Sequence, residues 1–236
     1  MLRLVFIVIR FIFEIPFLLV QIKKYKNHPE KYSIEERIGW TRKLLRKATK
    51  RARVDLQISG VENVPQEGGY LITPNHQGLF DILALFNALD VPFKIVYKEE
   101  LRKVGLAADV LDFMEYHAIV RNNLRQSMKV IRTTSKEMKE GMPAVIFPEG
   151  TRSKKGNSLN EFKGGSFKAA IDAKVPIVPC AMIDCFRVLD YNSLKKVHCQ
   201  IHFFKPLTYE DYKDMNSTEI ANYVENTIQD YINAHD

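Results

Sequence analysis

A histidine and an aspartate five residues apart are the first side chains in this sequence that could perform chemistry together. His76 and Asp81 lie in the stretch NHQGLFD, between one apolar run and the next. A carboxylate that binds the Nδ1–H of an imidazole fixes its tautomer and leaves Nε2 as a general base near neutral pH. The same residues are also typical of a turn in which the aspartate stabilises the start of a helix. Both interpretations stay open on this motif alone.

The spacing limits how this pair can form. On a continuous helix, residues five apart are separated by about 140° around the axis, so their side chains would not meet. Pro74 and Gly78 interrupt regular structure on either side of the histidine. We therefore expect His76 in a loop and Asp81 in the first turn of the helix that follows.

A second stretch, FPEGTRS at 147–153, follows the apolar run AVIF. Its Pro-Glu-Gly sequence predicts a tight turn, and a turn that exposes backbone N–H groups beside Arg152 suits a phosphate oxyanion. An exposed turn with solvated bases is the alternative. Lys98 and Arg121 end two other apolar runs, so several cations are expected near the histidine.

The elements that must position these residues alternate along the chain from Val54 onward. Helices are predicted at 80–89, 124–140 and 166–173, with one or two more in 208–236. Between them lie short apolar runs, at 54–59, 70–73, 93–97, 118–120, 144–147, 177–182 and 197–204. Such alternation predicts an α/β fold, with a largely parallel mixed sheet of about seven strands flanked by helices. In such sheets ligands bind beyond the carboxyl ends of the strands, where both stretches lie.

The net charge of +7 is an N-terminal property. Residues 1–53 hold 14 Lys and Arg against four acids, or +10, which leaves −3 for residues 54–236. We therefore divide the chain into an N-terminal membrane-associating two-helix segment, 1–53, and an α/β domain, 54–236. A basic segment also suits nucleic acid, but base-stacking aromatics are scarce here, and a nucleic-acid partner is not expected.

The first helix is predicted over Leu2–Ile22, apolar except for a narrow stripe of Arg3, Arg10, Glu14 and Gln21. It is long enough to span a bilayer, but Arg10 and Glu14 would then lie near the middle of the hydrocarbon, at about 2.5–3.5 kcal/mol each. A helix sunk in one leaflet, or packed with its polar stripe on a second helix, avoids that cost. We expect a monotopic arrangement, in which the helix does not span the bilayer.

The second helix is predicted over 33–53, starting at Ser33 with Glu36 in capping-box spacing. Its basic face suits anionic headgroups. The three cysteines, Cys180, Cys185 and Cys199, have no zinc-like spacing and are typical of core residues in a reducing compartment. Together these features indicate the cytoplasmic face of a membrane. No metal is expected, since His198 and His202 lack a nearby carboxylate in the sequence.

The motifs resemble those of the glycerolipid acyltransferases, in particular the 1-acylglycerol-3-phosphate (lysophosphatidate) acyltransferases. The family carries a histidine–four residues–aspartate motif, matched by His76 and Asp81, and a block reproduced in full by 147–153. A lysine-to-arginine block matches Lys98 to Arg121, and VPIVP at 175–179 matches the fourth. The resemblance covers about residues 55–205. Position 78 departs from it, with glycine where the family often has serine, and no proline follows Leu101 in the third block.

The resemblance implies transfer of a fatty acyl group from acyl-CoA or acyl carrier protein to a glycerolipid hydroxyl at a membrane surface, without a cofactor. His76 is then the general base and Asp81 its orienting carboxylate. Arg121, Arg152 and Lys98 are expected to bind the acceptor phosphate. Glu149 and Gly150, with Thr151, are expected to shape the acceptor loop. Alternatives are an acyltransferase that uses glycerol-3-phosphate or another lysophospholipid, and a silent membrane lipid-binding protein.

Overall fold

The N-terminal segment forms three helices rather than two. The structure is a computed structural model that describes residues 2–120 and 123–235. Helices α1 (Leu2–Arg10) and α2 (Ile15–Asn27) meet at 92°, and α3 (Ile34–Arg51) follows. The predicted continuous helix over Leu2–Ile22 is therefore wrong. Pro16 stands at the start of α2, where a residue without a backbone N–H favours the beginning of a new helix.

The polar stripe predicted on the first helix packs against the protein. Arg3 is fully buried and donates to the carbonyls of Ala52 and Lys195, the former just beyond the C-terminus of α3. Glu14, in the bend, forms ion pairs with Lys47 (2.6 Å) and Arg51 (2.5 Å) of α3. The hydrogen bonds from these two basic side chains lower the pKa of the Glu14 carboxyl. The bend thus places Glu14 between two cations.

The opposite side of this segment presents apolar side chains to the surroundings, among them Phe13 (91% exposed) and Phe17 (77% exposed). Within residues 2–120 and 123–235, no single helix is both long and apolar enough to cross a membrane. The bent pair of α1 and α2 would meet that requirement only if its two helices are taken together. As predicted, α3 begins after Ser33, whose hydroxyl accepts the N–H of Glu36 at 3.2 Å.

The sheet confirms the predicted α/β class. Its seven strands, in spatial order, are β1 (Val54–Ser59), β7 (Val197–Phe203), β6 (Ile177–Ile183), β2 (Leu71–Pro74), β5 (Ala144–Val145), β3 (Lys94–Lys98) and β4 (His117–Ile119). Every neighbouring pair is parallel except β6 and β7. Consequently the carboxyl ends of β2 to β6 share one edge with the amino ends of β1 and β7. We call it the active-site edge, after the site that the sequence predicts there.

Helices cover both faces of the sheet. The remaining ones are α4 (Asp81–Ala88), α5 (Gly105–Phe113), α6 (Leu124–Lys139), α7 (Lys168–Ala173), α8 (Phe186–Leu189), α9 (Tyr209–Tyr212) and α10 (Ser217–His235). One core lies beneath α2 to α5, and the other beneath α6, α7 and α10. Strand residues alternate between the two cores, as the pleat requires: Leu71 belongs to one and Ile72 to the other.

The N-terminal segment and the α/β domain share one of these cores. Ile22, Tyr25 and Ile38 are buried in the same cluster as Phe86 of α4. The three cysteines are also buried and unpaired, as expected of core residues, and burial raises the pKa of the Cys180 thiol. Residues 2–51 therefore contribute side chains to the core of the α/β domain and also present exposed apolar side chains.

Candidate active site

His76 lies in the loop after β2, and Asp81 is the first residue of α4. This is the arrangement that the spacing requires for the two side chains to meet. His76 Nδ1 and Asp81 Oδ2 are 2.7 Å apart. Asp81 is fully buried, whereas the His76 side chain is 23% exposed. The imidazole is thus held on one side and remains accessible on the other.

The Asp81 carboxylate has two functions through one oxygen. Besides His76, Oδ2 accepts the backbone N–H groups of Gln77 (2.7 Å) and Gly78 (2.9 Å). Asp81 therefore stabilises the turn and contacts the histidine at the same time. The catalytic role of the pair stays a prediction. The other Asp81 oxygen, Oδ1, is buried and has no hydrogen-bond partner among the described residues.

Gly78 is explained by the close approach of another segment. A Cβ at this position would come within 3.0 Å of the Phe186 Cα and of Asp190 Oδ2. Phe186 belongs to α8, which follows β6 at the active-site edge. A serine here, as the family often has, would require this segment to move.

Glu149 ties the FPEGTRS loop to the histidine loop. Its carboxylate is buried, with Oε1 accepting the His76 N–H at 2.7 Å and Oε2 accepting the Asn160 N–H at 3.0 Å. Burial raises the pKa of the Glu149 carboxyl, and these two backbone hydrogen bonds oppose the rise. The Ser153 N–H also donates to the His76 carbonyl at 2.8 Å. Both sides of the His76 backbone are thus fixed by this loop.

Two amide side chains that the sequence reasoning missed hold the histidine loop to β6. Asn75 exchanges hydrogen bonds with the backbone of Met182, at 3.0 and 2.7 Å. Gln77 accepts the Cys185 N–H at 2.9 Å and donates to the Asn157 side chain at 2.7 Å. Asn75 and Gln77 flank His76 directly, so polar amides at a predicted strand end were the signal that could have identified them.

The predicted phosphate-binding residues are placed differently from one another. Arg152 lies beside the histidine loop and contacts Asp190 at 3.3 Å, with a third of its side chain exposed. Thr151 is exposed, and Gly150 adopts a φ of 65° in the turn, which glycine readily allows. Lys98 ends β3 at the active-site edge, two strands from β2. Arg121 lies outside the described residues.

The remaining contact of the imidazole is aromatic. The His76 ring lies 4.2 Å from the Phe147 ring, centroid to centroid, at an angle of 35°. Phe147 is the first residue of the FPEGTRS stretch. His76, Asp81, Glu149 and Arg152 therefore come together at one edge of the sheet.

The fold and the site together define an α/β protein with a histidine–carboxylate pair at the carboxyl ends of its parallel strands. A family model described as Acyltransferase matches residues 55–183. Since this is more than half of the chain, the chain belongs to the acyltransferase family. The resemblance seen in the four sequence blocks is thereby confirmed.

Curated relatives agree with this assignment, and a solved structure shares the fold. The 1-acyl-sn-glycerol-3-phosphate acyltransferase of Borreliella burgdorferi is 28% identical over 174 residues, which are 72% of this chain and 69% of that protein. A probable 1-acyl-sn-glycerol-3-phosphate acyltransferase of Mycoplasma pneumoniae is 28% identical over 220 residues, which are 87% of this chain and 82% of that protein. The crystal structure of the 1-acyl-sn-glycerophosphate (LPA) acyltransferase PlsC from Thermotoga maritima shares the fold. Its TM-score is 0.72 at 22% identity, covering 99% of this chain and 93% of that one.

Proposed function

We propose that this chain is a membrane-associated 1-acylglycerol-3-phosphate acyltransferase. It would transfer a fatty acyl group from a thioester to the sn-2 hydroxyl of lysophosphatidate and yield phosphatidic acid. The observation that carries the proposal is the His76–Asp81 pair, 2.7 Å apart, on a loop hydrogen-bonded to the Arg152 segment. Relatives named for this reaction match most of the chain.

In the proposed mechanism the acceptor hydroxyl is the nucleophile. An alcohol is weakly nucleophilic at neutral pH, so His76 Nε2 removes its proton as the oxygen attacks the thioester carbonyl carbon. Asp81 stabilises the imidazolium that forms, as the carboxylate of a hydrolase triad does. The tetrahedral intermediate then collapses, the C–S bond breaks, and the imidazolium returns its proton to the departing thiolate. The products are the ester and a free thiol, and no cofactor is required.

The negative charge on the intermediate needs hydrogen-bond donors near the base. In the FPEGTRS loop, the N–H of Gly150 donates to Phe147 and that of Ser153 to His76. The N–H groups of Thr151 and Arg152 donate no hydrogen bond within the described part of the chain. We therefore assign the oxyanion to one of these two N–H groups.

The acceptor phosphate is assigned to Arg152, together with Arg121 and Lys98. Arg152 is held near the histidine loop by Asp190, and its guanidinium is partly exposed. A planar guanidinium can bind a phosphate through two parallel hydrogen bonds. A phosphomonoester acceptor is therefore favoured over a lysophospholipid with a bulky headgroup. The acyl donor is acyl-CoA or acyl carrier protein.

The apolar surface of α1 and α2 is proposed to hold the chain on the cytoplasmic face of a membrane, in a monotopic manner. The exposed Phe13, Phe17 and Val20 would enter one leaflet, while the charged Glu14 stays paired to α3. Because α2 and α3 contribute buried residues to the core, deletion of 1–53 would unfold the domain. Substitution of Phe13 and Phe17 by serine is the better test of vesicle binding.

The proposed reaction is tested with purified protein and a panel of lysolipid and glycerol-3-phosphate acceptors, with CoA and carrier-protein thioesters as donors. His76→Ala should lower transfer to lysophosphatidate by at least about 10²-fold, the low end for general base catalysis, while vesicle binding is unchanged. His198→Ala is the matched control, since His198 also contacts a carboxylate, Asp55, but is 73% exposed on β7. Normal turnover by the His76→Ala protein would refute the mechanism.

A further inference from the structure

Among the described residues, ten large apolar side chains outside α1, α2 and the bend between them are exposed, and six of these lie in the segments that follow β2, β3 and β4 at the active-site edge. We call these six the apolar rim: Leu79, Leu101, Val104, Leu106, Leu124 and Met128. Their exposed fractions run from 40% at Leu101 to 76% at Leu124. Large exposed apolar groups in adjacent loops mark an interaction surface, whereas single ones do not.

The apolar rim adjoins the N-terminal helices. The backbone N–H of Leu2 donates to the Asn192 side chain, and Arg3 donates to the Lys195 carbonyl, just before β7 begins at the active-site edge. On the other side, α5 packs on α2: Lys26 forms an ion pair with Asp109, and the rings of Tyr25 and Phe113 lie 5.4 Å apart. The segment that carries Val104 and Leu106 therefore packs on α2, and the chain before β7 at the same edge packs on α1.

Basic residues accompany the apolar rim. In α6, Arg125, Lys129 and Arg132 are exposed near Leu124 and Met128, with no acid between 124 and 132. After β3, Arg102 and Lys103 stand between Leu101 and Val104, although Glu99 and Glu100 precede them. Apolar side chains flanked by lysine and arginine are typical of surfaces that rest in the interface of an anionic bilayer.

We propose that the apolar rim is a second membrane contact, in addition to α1 and α2, and that its partner is an anionic lipid surface. The segments after β2, β3 and β4 enter the boundary between headgroups and acyl chains, and Leu79 stands three residues from His76. The site then opens onto the bilayer, so a lipid acceptor reaches His76 without passing through water. The inference rests on the proposed function, but the membrane contact itself can be measured without turnover.

Site-specific labelling tests the contact. The three native cysteines are buried, so a cysteine introduced by Val104→Cys or Leu124→Cys can be labelled selectively with an environment-sensitive fluorophore. Val61→Cys is the matched control, 40% exposed and just beyond the carboxyl end of β1, at the opposite edge of the sheet. Phosphatidylglycerol vesicles should give a blue shift and quenching by doxyl-labelled lipid at positions 104 and 124, and neither at 61.

The same experiment separates the possible partners. If positions 104 and 124 stay solvent-like while a label at Phe17→Cys is quenched, the rim does not contact lipid and the proposal fails. A blue shift without vesicles that grows with protein concentration would assign the rim to a second copy of the chain. A shift that needs an acidic acyl carrier protein instead would assign it to the donor. Either outcome overturns the lipid assignment.

An activity measurement distinguishes failure of this inference from failure of the proposed function. The double variant Val104→Gln, Leu106→Gln should lower kcat/KM about tenfold for lysophosphatidate in vesicles. With a short-chain, water-soluble acceptor, its turnover should stay within about twofold of the unmodified chain. Equal loss on both acceptors would contradict a membrane role. If the unmodified chain acylates neither acceptor, the proposed function fails, and the labels still decide whether the rim enters the bilayer.

Discussion

Replacement of Asp81 by asparagine separates its two functions. Oδ2 accepts three N–H groups, from the imidazole at 2.7 Å and from the backbone at 2.7 and 2.9 Å. Asparagine can place its amide oxygen at the position of Oδ2. Its NH2 group then occupies the position of Oδ1, which has no partner among the described residues. The turn should therefore persist in Asp81→Asn, but without the negative charge.

The expected magnitudes follow from these contacts. A hydrogen bond to a charged group contributes about 1.5–3 kcal/mol and a neutral one about 0.5–1.5 kcal/mol. Three weakened bonds, partly offset by removal of a fully buried charge, suggest a loss of about 1–3 kcal/mol in unfolding free energy. That is less than the usual stability of a domain, about 5–15 kcal/mol. Asp81→Ala strips all three donors of their acceptor and should cost about 3–6 kcal/mol.

Catalysis should respond far more than stability. Without the negative charge the imidazolium is no longer stabilised, so transfer by Asp81→Asn should fall by about 10²–10⁴-fold. Asp211→Asn is the matched control, because Asp211 Oδ2 also accepts two hydrogen bonds, both from Thr208, in a capping box far along the chain. Urea unfolding and initial rates on the same preparations give both numbers. Transfer by Asp81→Asn within about threefold of the unmodified protein would mean that Asp81 only stabilises the turn.

Two further substitutions test the neighbouring loop. Glu149→Gln leaves one of two N–H groups, from His76 or Asn160, facing an amide donor, so urea unfolding should show a loss of about 1–3 kcal/mol. Because burial raises the pKa of Glu149 above 4.5, its ionisation favours the unfolded state. The unmodified protein should therefore lose stability relative to the variant as pH rises from about 4 through the folded-state pKa. If the stability of the unmodified protein relative to the variant instead rises with pH, the sign is contradicted. Asp190→Asn frees Arg152 from a competing carboxylate. KM for lysophosphatidate should fall by up to about fivefold, since a partly exposed ion pair contributes at most about 1 kcal/mol. A raised KM would instead make Asp190 a positioning residue for Arg152.

Local patterns in the sequence were sufficient to predict most of the elements. Strands such as Ile177–Ile183 are short apolar runs bounded by turn residues, and the pairing of His76 with Asp81 follows from their spacing at the end of such a run. For α3, α4, α6 and α7 the ends moved by only a few residues, whereas α5 and α8 were not predicted and the predicted first helix is broken into α1 and α2. For α6 the prediction was 124–140 and the structure gives Leu124–Lys139.

What the sequence could not reveal depends on partners distant in the chain. Residues 2–22 are apolar on most sides, so their periodicity does not show a bend that is stabilised by ion pairs from Glu14 to α3. The reversed direction of β7 likewise depends on the 184–196 connection, which carries only the short helix α8. Arg152 and Asp190 lie 38 positions apart, and nothing near either residue indicates that they meet.

In the proposed mechanism, the arrangement of the site would let His76 act on an alcohol in preference to water. The His76 loop is hydrogen-bonded to two other segments, through Glu149 and Ser153 on one side and through Asn75 on the other. His76 is therefore held in place before substrate binds, at the edge that carries the apolar rim. A thioester is also open to attack by water, so the enzyme gains if that edge is covered while the donor is bound. A bilayer bound to the apolar rim would exclude water and would also deliver the lipid acceptor, whose hydroxyl competes with water for the thioester. This links the apolar rim to the proposed chemistry at His76.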